Sequence, residues 1–427
     1  MFSYFEEIVN NRHEHARNLK EEKGKNIIGY LCSYVPEEII YAAGGIPVRL
    51  LTNEEPPTLS ENFMQNYYCT FSRSILHQGL AGDLDYLEGL VTTYSCVTMR
   101  LAFDNLQRQI KLPYTRFLYL PGIIDTSDAK QFYRRELERF RKDMEDLFGR
   151  KITDDDLKEA IHTYDENRSL ILEIFEGRKN SPPSISGEEA YMLTLSSMLT
   201  DKADHNEKLK ELIKEIPKRE ALKTGVNRIM IVGSPLDNLK LLRLIEKDIG
   251  AWVVTDDTCT ATRYIWGTTP DDLIEKDPLM AIVQRYMITR PPCPSKHSPT
   301  RWLQCKTCPF RTVCSFALQP APKGTLPKSV PFPQPERICR FRHALQLGIN
   351  HKVEGVVALI QKFCDPHGFD YHHVTQAFED VGIPLVFVEI DNIVSIGQTK
   401  TRIEAFIEMV QPVEYIIEPE IKAGVEI

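Results

Sequence analysis

Twice along this chain, from Asn26 and again from Asn227, short runs of almost wholly apolar residues alternate with amphipathic stretches. A run such as "NIIGYL" or "RIMIVG" has no polar face to offer water, so as a strand it must be covered on both sides. Strands alternating with helices meet that demand in a parallel sheet with helices on both faces. The first stretch supplies the strands "NIIGYLC", "IPVRLL", "YLEGLVTTYSC" and "RFLYLPGI", and the second supplies "RIMIVGSP", "AWVVTDD", "VEGVVALIQKFC" and "IPLVFVEID". Between them "PEEIIYAA" reads as a helix, with Pro36 near its first turn, acids at its positive end and Gly44-Gly45 as its stop. "YCTFSRSILHQGLAG", "LDNLKLLRLIEKDIG", "YHHVTQAFEDVG" and "TKTRIEAFIEMV" read as further helices.

Residues 128 to 222 differ. "DAKQFYRRELERFRKDMEDLFG", "TDDDLKEAIHTYDENRSLILEIFEGR" and "HNEKLKELIKEIPKRE" are long amphipathic helices whose charged faces carry i,i+4 pairs. The expected organisation is α/β: an N-terminal domain over 1–127, opening with a polar helix over residues 1 to 25, a helical segment over 128–222, and a C-terminal domain over 223–427. The C-terminal domain is interrupted at about 293–340 by a Cys/Pro-rich insertion with six prolines from Pro320 to Pro335, which is neither helix nor central strand.

A length of 427 residues suffices for two or three cores, and 42% hydrophobic with 26% charged residues describes an ordinary globular chain. The formal net charge of -8 argues against nucleic-acid binding. No apolar run reaches the roughly 18 to 20 residues that cross a bilayer, and the start has no signal-peptide core. The expectation is a cytoplasmic protein without a membrane partner.

In a reducing cytosol, ten cysteines point to metal ligands or catalytic groups rather than disulfides. Cys32, Cys96, Cys259 and Cys364 each fall at or just beyond the carboxyl end of an expected strand, the edge where open α/β sheets bind ligands. Packing alone has no preference for that edge. Cys69 falls near a helix start, where backbone N–H groups favour a thiolate. Thiolates from separate loops suit an iron–sulfur centre.

"GYLCSYVPEEIIYAAGGIPVRLL", "YYCTFSRSIL", "VTTYSC", "DDTCTATR", "RPPCPSK", "EGVVALIQKFCDPHGFDY", "GIPLVFVEID" and "TKTRIEAFIEMV" together resemble the 2-hydroxyacyl-CoA dehydratase family. That family includes subunits of ATP-dependent benzoyl-CoA reductase and the double-cubane cluster reductases. The resemblance implies two flavodoxin-like units and an oxygen-sensitive cluster, either a [4Fe-4S] cubane or a double cubane. It also implies an acyl-CoA substrate, a second family subunit, and a separate ATP-hydrolysing activator protein that delivers one low-potential electron. The activity implied is that of a 2-hydroxyacyl-CoA dehydratase or a benzoyl-CoA-type reductase; the alternatives are a small-molecule reductase without CoA or an electron-transfer subunit. The family's motif cysteines are matched by Cys32, Cys69, Cys96 and Cys364, and those of some members by Cys259 and Cys293. This chain contains no GxxxxGK[ST] loop, which agrees with ATP being used on a partner.

The insertion departs from the usual pattern of the small catalytic subunits. In it Cys293, Cys305, Cys308 and Cys314 are spaced C-x11-C-x2-C-x5-C, and Cys339 follows. A Pro-rich segment does not hold itself by burial, so a metal staple is expected, either a second iron–sulfur centre or zinc, with free thiols as the plain alternative. His367, with His372 and His373 beyond it, follows Cys364 and is a candidate proton donor, although a capping or surface role is the simpler reading. Glu389 and Asp391 end a strand at the same edge. Asp365 reads as a cap, and Arg73 as an anion-holding residue or a surface ion pair.

Overall fold

The computed structural model describes residues 1–296, 340–391 and 396–410. All eight expected strands form: β1 (Asn26–Tyr30), β2 (Gly45–Arg49), β3 (Leu87–Thr93), β4 (Tyr114–Leu118), β5 (Arg228–Gly233), β6 (Trp252–Asp257), β7 (Gly355–Gln361) and β8 (Leu385–Ile390). They make two four-stranded sheets, ordered β2-β1-β3-β4 and β6-β5-β7-β8. Every pairing is parallel. The two orders are the same topology built twice, the flavodoxin-like order around a first central strand. Strands β2, β5 and β7 are buried along their whole length, which is why they carry no alternating polar pattern.

Long helices cover the sheets. Ser127–Phe148 and Asp154–Glu176 turn buried stripes inward, including Tyr133, Leu137, Phe140 and Met144 on the first. Thr153 and Asp156 close a capping box at the start of the second, and Ser186 with Glu189 closes another at Gly187–Ser197. One core cluster runs from Phe5 and Ile8 through Ile27, Leu90, Leu193 and Ile229 to Phe406, joining both sheets to the helices between them. At about 1.5–3 kcal/mol per fully buried large side chain, this shared core is what keeps the sheets together.

The first 25 residues are not one polar helix. Two helices, Ser3–Asn10 and Arg12–Glu21, meet at Asn11, where the backbone leaves the helical region, and Phe5, Ile8, Val9, Ala16 and Leu19 are buried. Between Cys96 and β4 a further helix, Val97–Gln109, packs against the first sheet. Cys305, Cys308, Cys314 and Cys339 lie outside the described residues. Among the described residues no helix is long and apolar enough to cross a membrane.

Candidate functional site

The carboxyl edges of the two sheets carry the cysteines. Cys32 lies two residues past β1 and Cys96 three past β3; Cys259 lies two past β6 and Cys364 three past β7. Cys32 and Cys96 therefore follow the two strands between which the first sheet's order reverses, and Cys364 follows one of the corresponding pair in the second, the ligand crevice of this topology, while Cys259 follows the edge strand β6. The six described cysteines are free; Cys69 is buried and the other five are half-buried.

They fall into two groups. Cys32 lies within electrostatic reach of Cys259 and Cys293. Cys364 lies within reach of Cys69 and Cys96, and Cys96 within reach of Cys69 and, from the first group, Cys293. Each group draws on both sheet regions. Residues more than 200 positions apart in the chain are thus brought together by two copies of one topology.

The groups are held differently. Cys69, Cys96 and Cys364 each precede a helix, Thr70–Ala81, Val97–Gln109 and Asp365–Glu379, so three helix N-termini meet there. Neutral hydroxyls complete the surroundings: Cys69 Sγ is 3.5 Å from Ser72 Oγ and 3.7 Å from Thr98 Oγ1, and Cys96 Sγ is 3.4 Å from Thr98 Oγ1. Burial pushes the Cys96 thiol up to about 12, with Cys69 adding to the rise, and pushes Cys364 well up.

The other group faces cations. Arg49, the last residue of β2 and 2% exposed, donates from Nη1 to the Cys259 carbonyl at 2.7 Å and from Nη2 to the Cys259 sulfur at 3.5 Å. Burial alone would raise the Cys259 thiol, but Arg49, Arg263 and Arg290 outweigh it and bring it below its ordinary value. Tyr34 Oη accepts from the Cys293 backbone N–H at 3.0 Å. Arg290 bonds the Ser33 carbonyl and, at 3.0 Å, its hydroxyl, and stacks over Tyr34.

Three buried donor nitrogens here, Arg49 Nε, Arg263 Nη1 and Arg290 Nε, have no hydrogen-bond partner among the described residues. Orphaned donors around soft thiols suit an anionic, sulfide-bearing centre with iron. No group of three His, Cys, Asp or Glu among the described residues could hold one metal ion.

The other candidates separate. His367 is 4% exposed, and its backbone N–H faces Cys364; burial, with Arg263 and Arg340, holds the imidazole well below its ordinary range. Glu389 is exposed at the end of β8 and lines a cleft of about 360 Å³ that opens on Cys364, together with Phe363, Phe369, Tyr371 and Phe387. Phe363 holds a left-handed backbone, φ 61, rare for a bulky residue. His372, His373 and Asp365 are exposed. Asp391 accepts from the Thr70 hydroxyl, tying the two sheet regions, and Arg73 is buried against Glu61 at 3.3 Å.

Sequence reasoning missed the arginines. The signal was present, since an Arg in the middle of the apolar run "IPVRLL" must find a buried partner, and "CTATR" and "ITRPPC" each place one beside a cysteine.

The chain matches the family described as 2-hydroxyglutaryl-CoA dehydratase, D-component, over residues 32–305 and 327–410. It is 24% identical to the (R)-phenyllactyl-CoA dehydratase beta subunit of Clostridium sporogenes over 412 residues, 95% of this chain and 98% of that one. It is 25% identical to the beta subunit of (R)-2-hydroxyglutaryl-CoA dehydratase of Acidaminococcus fermentans, over 90% of this chain and 93% of the relative. Over 259 residues, 58% of this chain and 66% of the relative, it is 31% identical to a subunit of the benzoyl-CoA reductase of Thauera aromatica.

Proposed function

This chain belongs to the 2-hydroxyglutaryl-CoA dehydratase D-component family, and from that premise we propose that it is the iron–sulfur subunit of a radical acyl-CoA enzyme, either a 2-hydroxyacyl-CoA dehydratase or a benzoyl-CoA-type reductase. The observation that carries the reading is the convergence of six thiols, in two groups of three, on the ligand-binding edges of both sheets. Cys32, Cys259 and Cys293 would hold one cubane and Cys69, Cys96 and Cys364 another. The reach of Cys96 to Cys293 favours joining them as a double cubane over a single cluster. Such a centre supplies single electrons at low potential and, at an iron without a thiolate, a Lewis-acid position.

The protein's own part is to hold, shield and orient. Three helix N-termini and four cations balance the negative charge of the thiolates. The aromatic cleft beside Cys364 fits the acyl end of a thioester, with Glu389 at its rim to hold a substrate hydroxyl. His367 is buried beside Arg263 and Arg340 rather than in the lining of that cleft, and its part would be to offer its backbone N–H to Cys364. A partner subunit and an ATP-hydrolysing electron donor complete the enzyme.

The same six thiols favour a second reading, a double-cubane reductase of small molecules without CoA. Anaerobic purification with iron and sulfide counting tests the first claim. About eight irons per chain, falling by roughly half in a Cys69→Ser/Cys364→Ser variant, supports two cubane halves, whereas iron-free protein or zinc alone refutes them. Micromolar binding of a CoA thioester, weakened by Glu389→Gln, then favours the acyl-CoA enzyme over the small-molecule reductase.

A further inference from the structure

The two groups of thiols differ in charge. Around Cys32, Cys259 and Cys293 stand full positive charges: Arg49 on the Cys259 sulfur, Arg263 and Arg290 acting on the same sulfur, and Lys296 acting on Cys293 and Cys32. Lys296 is fixed by donating to the Tyr94 carbonyl at 2.6 Å and the Leu120 carbonyl at 3.3 Å. The carboxylate that faces Arg263 is Asp257, and it is shared with Arg340. Around Cys69, Cys96 and Cys364 the hydrogen-bond partners are neutral, Ser72, Thr98, Ser234 and the backbone N–H groups of Met99 and His367, and the charged side chains in the cleft beside Cys364, Lys362, Asp365 and Glu389, are exposed to water. The three helix N-termini there add roughly half a charge each, less than a guanidinium apiece.

Resting on the iron–sulfur reading above, we infer that Arg49 raises the reduction potential of the centre held by Cys32, Cys259 and Cys293, so that an electron from a low-potential protein donor comes to rest on that half. The half held by Cys69, Cys96 and Cys364 is then the harder to reduce. One electron leaves the donor and one is gained by the centre, with no proton required. The reduced centre carries one more negative charge than the oxidised one, so a fixed cation stabilises it more. A guanidinium keeps its proton throughout, and at 2% exposure Arg49 is not screened by water. Its place is set by β2 and by the bond from its backbone N–H to the Met198 carbonyl at 2.9 Å, so it cannot swing away on reduction.

The test is a redox titration of the anaerobically purified chain with titanium(III) citrate, followed by electron paramagnetic resonance, for wild type, Arg49→Gln and Arg49→Lys. Arg49→Gln is expected to keep its iron and sulfide while the higher of the two midpoints falls. The reduced-to-oxidised ratio at a fixed potential should drop at least about tenfold, or about 59 mV for one electron. The lower midpoint stays in place, and Arg49→Lys recovers most of the shift. A fully loaded Arg49→Gln protein with unmoved midpoints, or with both midpoints moved alike, overturns the inference. Should Arg49→Gln fail to take up iron, Arg49→Met, which keeps the aliphatic volume, reads the same loss of charge: a fall in the higher midpoint supports the inference, and no movement overturns it. A wild-type chain that carries zinc or no iron refutes the functional reading instead, a result seen before any titration begins.

Discussion

Removing the Arg168 guanidinium should destabilise the protein more than any substitution of similar size on its surface. Its two arms reach Glu38 and, at 2.6 Å, Asp165, and the Arg168 and Glu38 side chains are 4% and 1% exposed. Each carboxylate also accepts from neutral donors, Glu38 from the Tyr286 hydroxyl at 2.8 Å and from its own backbone N–H, and Asp165 from the Thr269 N–H at 2.8 Å. Arg168→Met keeps the aliphatic volume but leaves two buried carboxylates without their cation, a loss of about 3–5 kcal/mol. With a urea dependence of about 3 kcal/mol per molar, the midpoint should fall by roughly 1–1.7 M at pH 7.5.

The pH dependence gives the sign. Burial alone would raise the Glu38 carboxyl, but Arg168 outweighs it and holds it below its ordinary value. A depressed carboxyl contributes stability above its unfolded value of about 4.3 and loses it only as pH falls through the folded one, so this group leaves wild type flat between pH 7.5 and 5.5. In Arg168→Met burial is unopposed and the carboxyl rises, so acid should restore part of the deficit. Adding Glu38→Gln and Asp165→Asn should restore more, because no orphaned charge then remains. A midpoint within about 0.3 M of wild type, or a deficit that grows at pH 5.5, would refute the reasoning.

Gly233 ends β5 with φ 135, and a Cβ there would stand 2.1 Å from the Leu359 carbonyl oxygen on β7. Gly233→Ala should cost about 3 kcal/mol or more by chemical denaturation, since neither the backbone angle nor a sheet carbonyl yields cheaply. Gly79→Ala meets the end of a flexible leucine, Leu106 Cδ2 at 2.3 Å, and sits in a helix, so packing strain and helix propensity should nearly cancel to within about 1–2 kcal/mol. Burial lowers Lys202 to about 8, with Glu37 opposing the shift. Between that value and the free lysine value of about 10.4 the unfolded chain binds more protons, so stability rises with pH across the window. Wild type should therefore gain about 2 kcal/mol on Lys202→Met between pH 7.5 and 9.5 in urea titrations, and parallel curves would refute it.

What the sequence made legible follows from the range of the forces involved. Each strand announces itself because burial on both faces strips it of polar residues, as in "RIMIVG" and "GVVALIQ". The cysteine edge was legible for the same reason, since a strand's carboxyl end is a local fact of the chain. Other features depend on residues far away. Glu37 and Glu38 open a helix and read as ordinary acids at its positive end, yet both are buried, because Arg168, Lys202, Tyr264 and Tyr286 arrive from distant segments to receive them.

The cysteines show the same limit. Their place at the sheet edges could be read one strand at a time, but their division into a cationic group and a neutral one could not. Arg49 stands 210 positions before the sulfur it meets, and Lys296 donates to carbonyls 202 and 176 positions away. Arg263 and Arg290 left a trace only as neighbours of cysteines, and Arg49 a stronger one, because a guanidinium inside an apolar strand has no local partner and so requires a distant one. That requirement makes the pairing specific. If the second sheet region were displaced from the first, Arg49 would lose Cys259 and Asp391 would lose Thr70 in the same movement, so the cation that sets the charge of one thiol group also reports on whether the two sheets are properly joined.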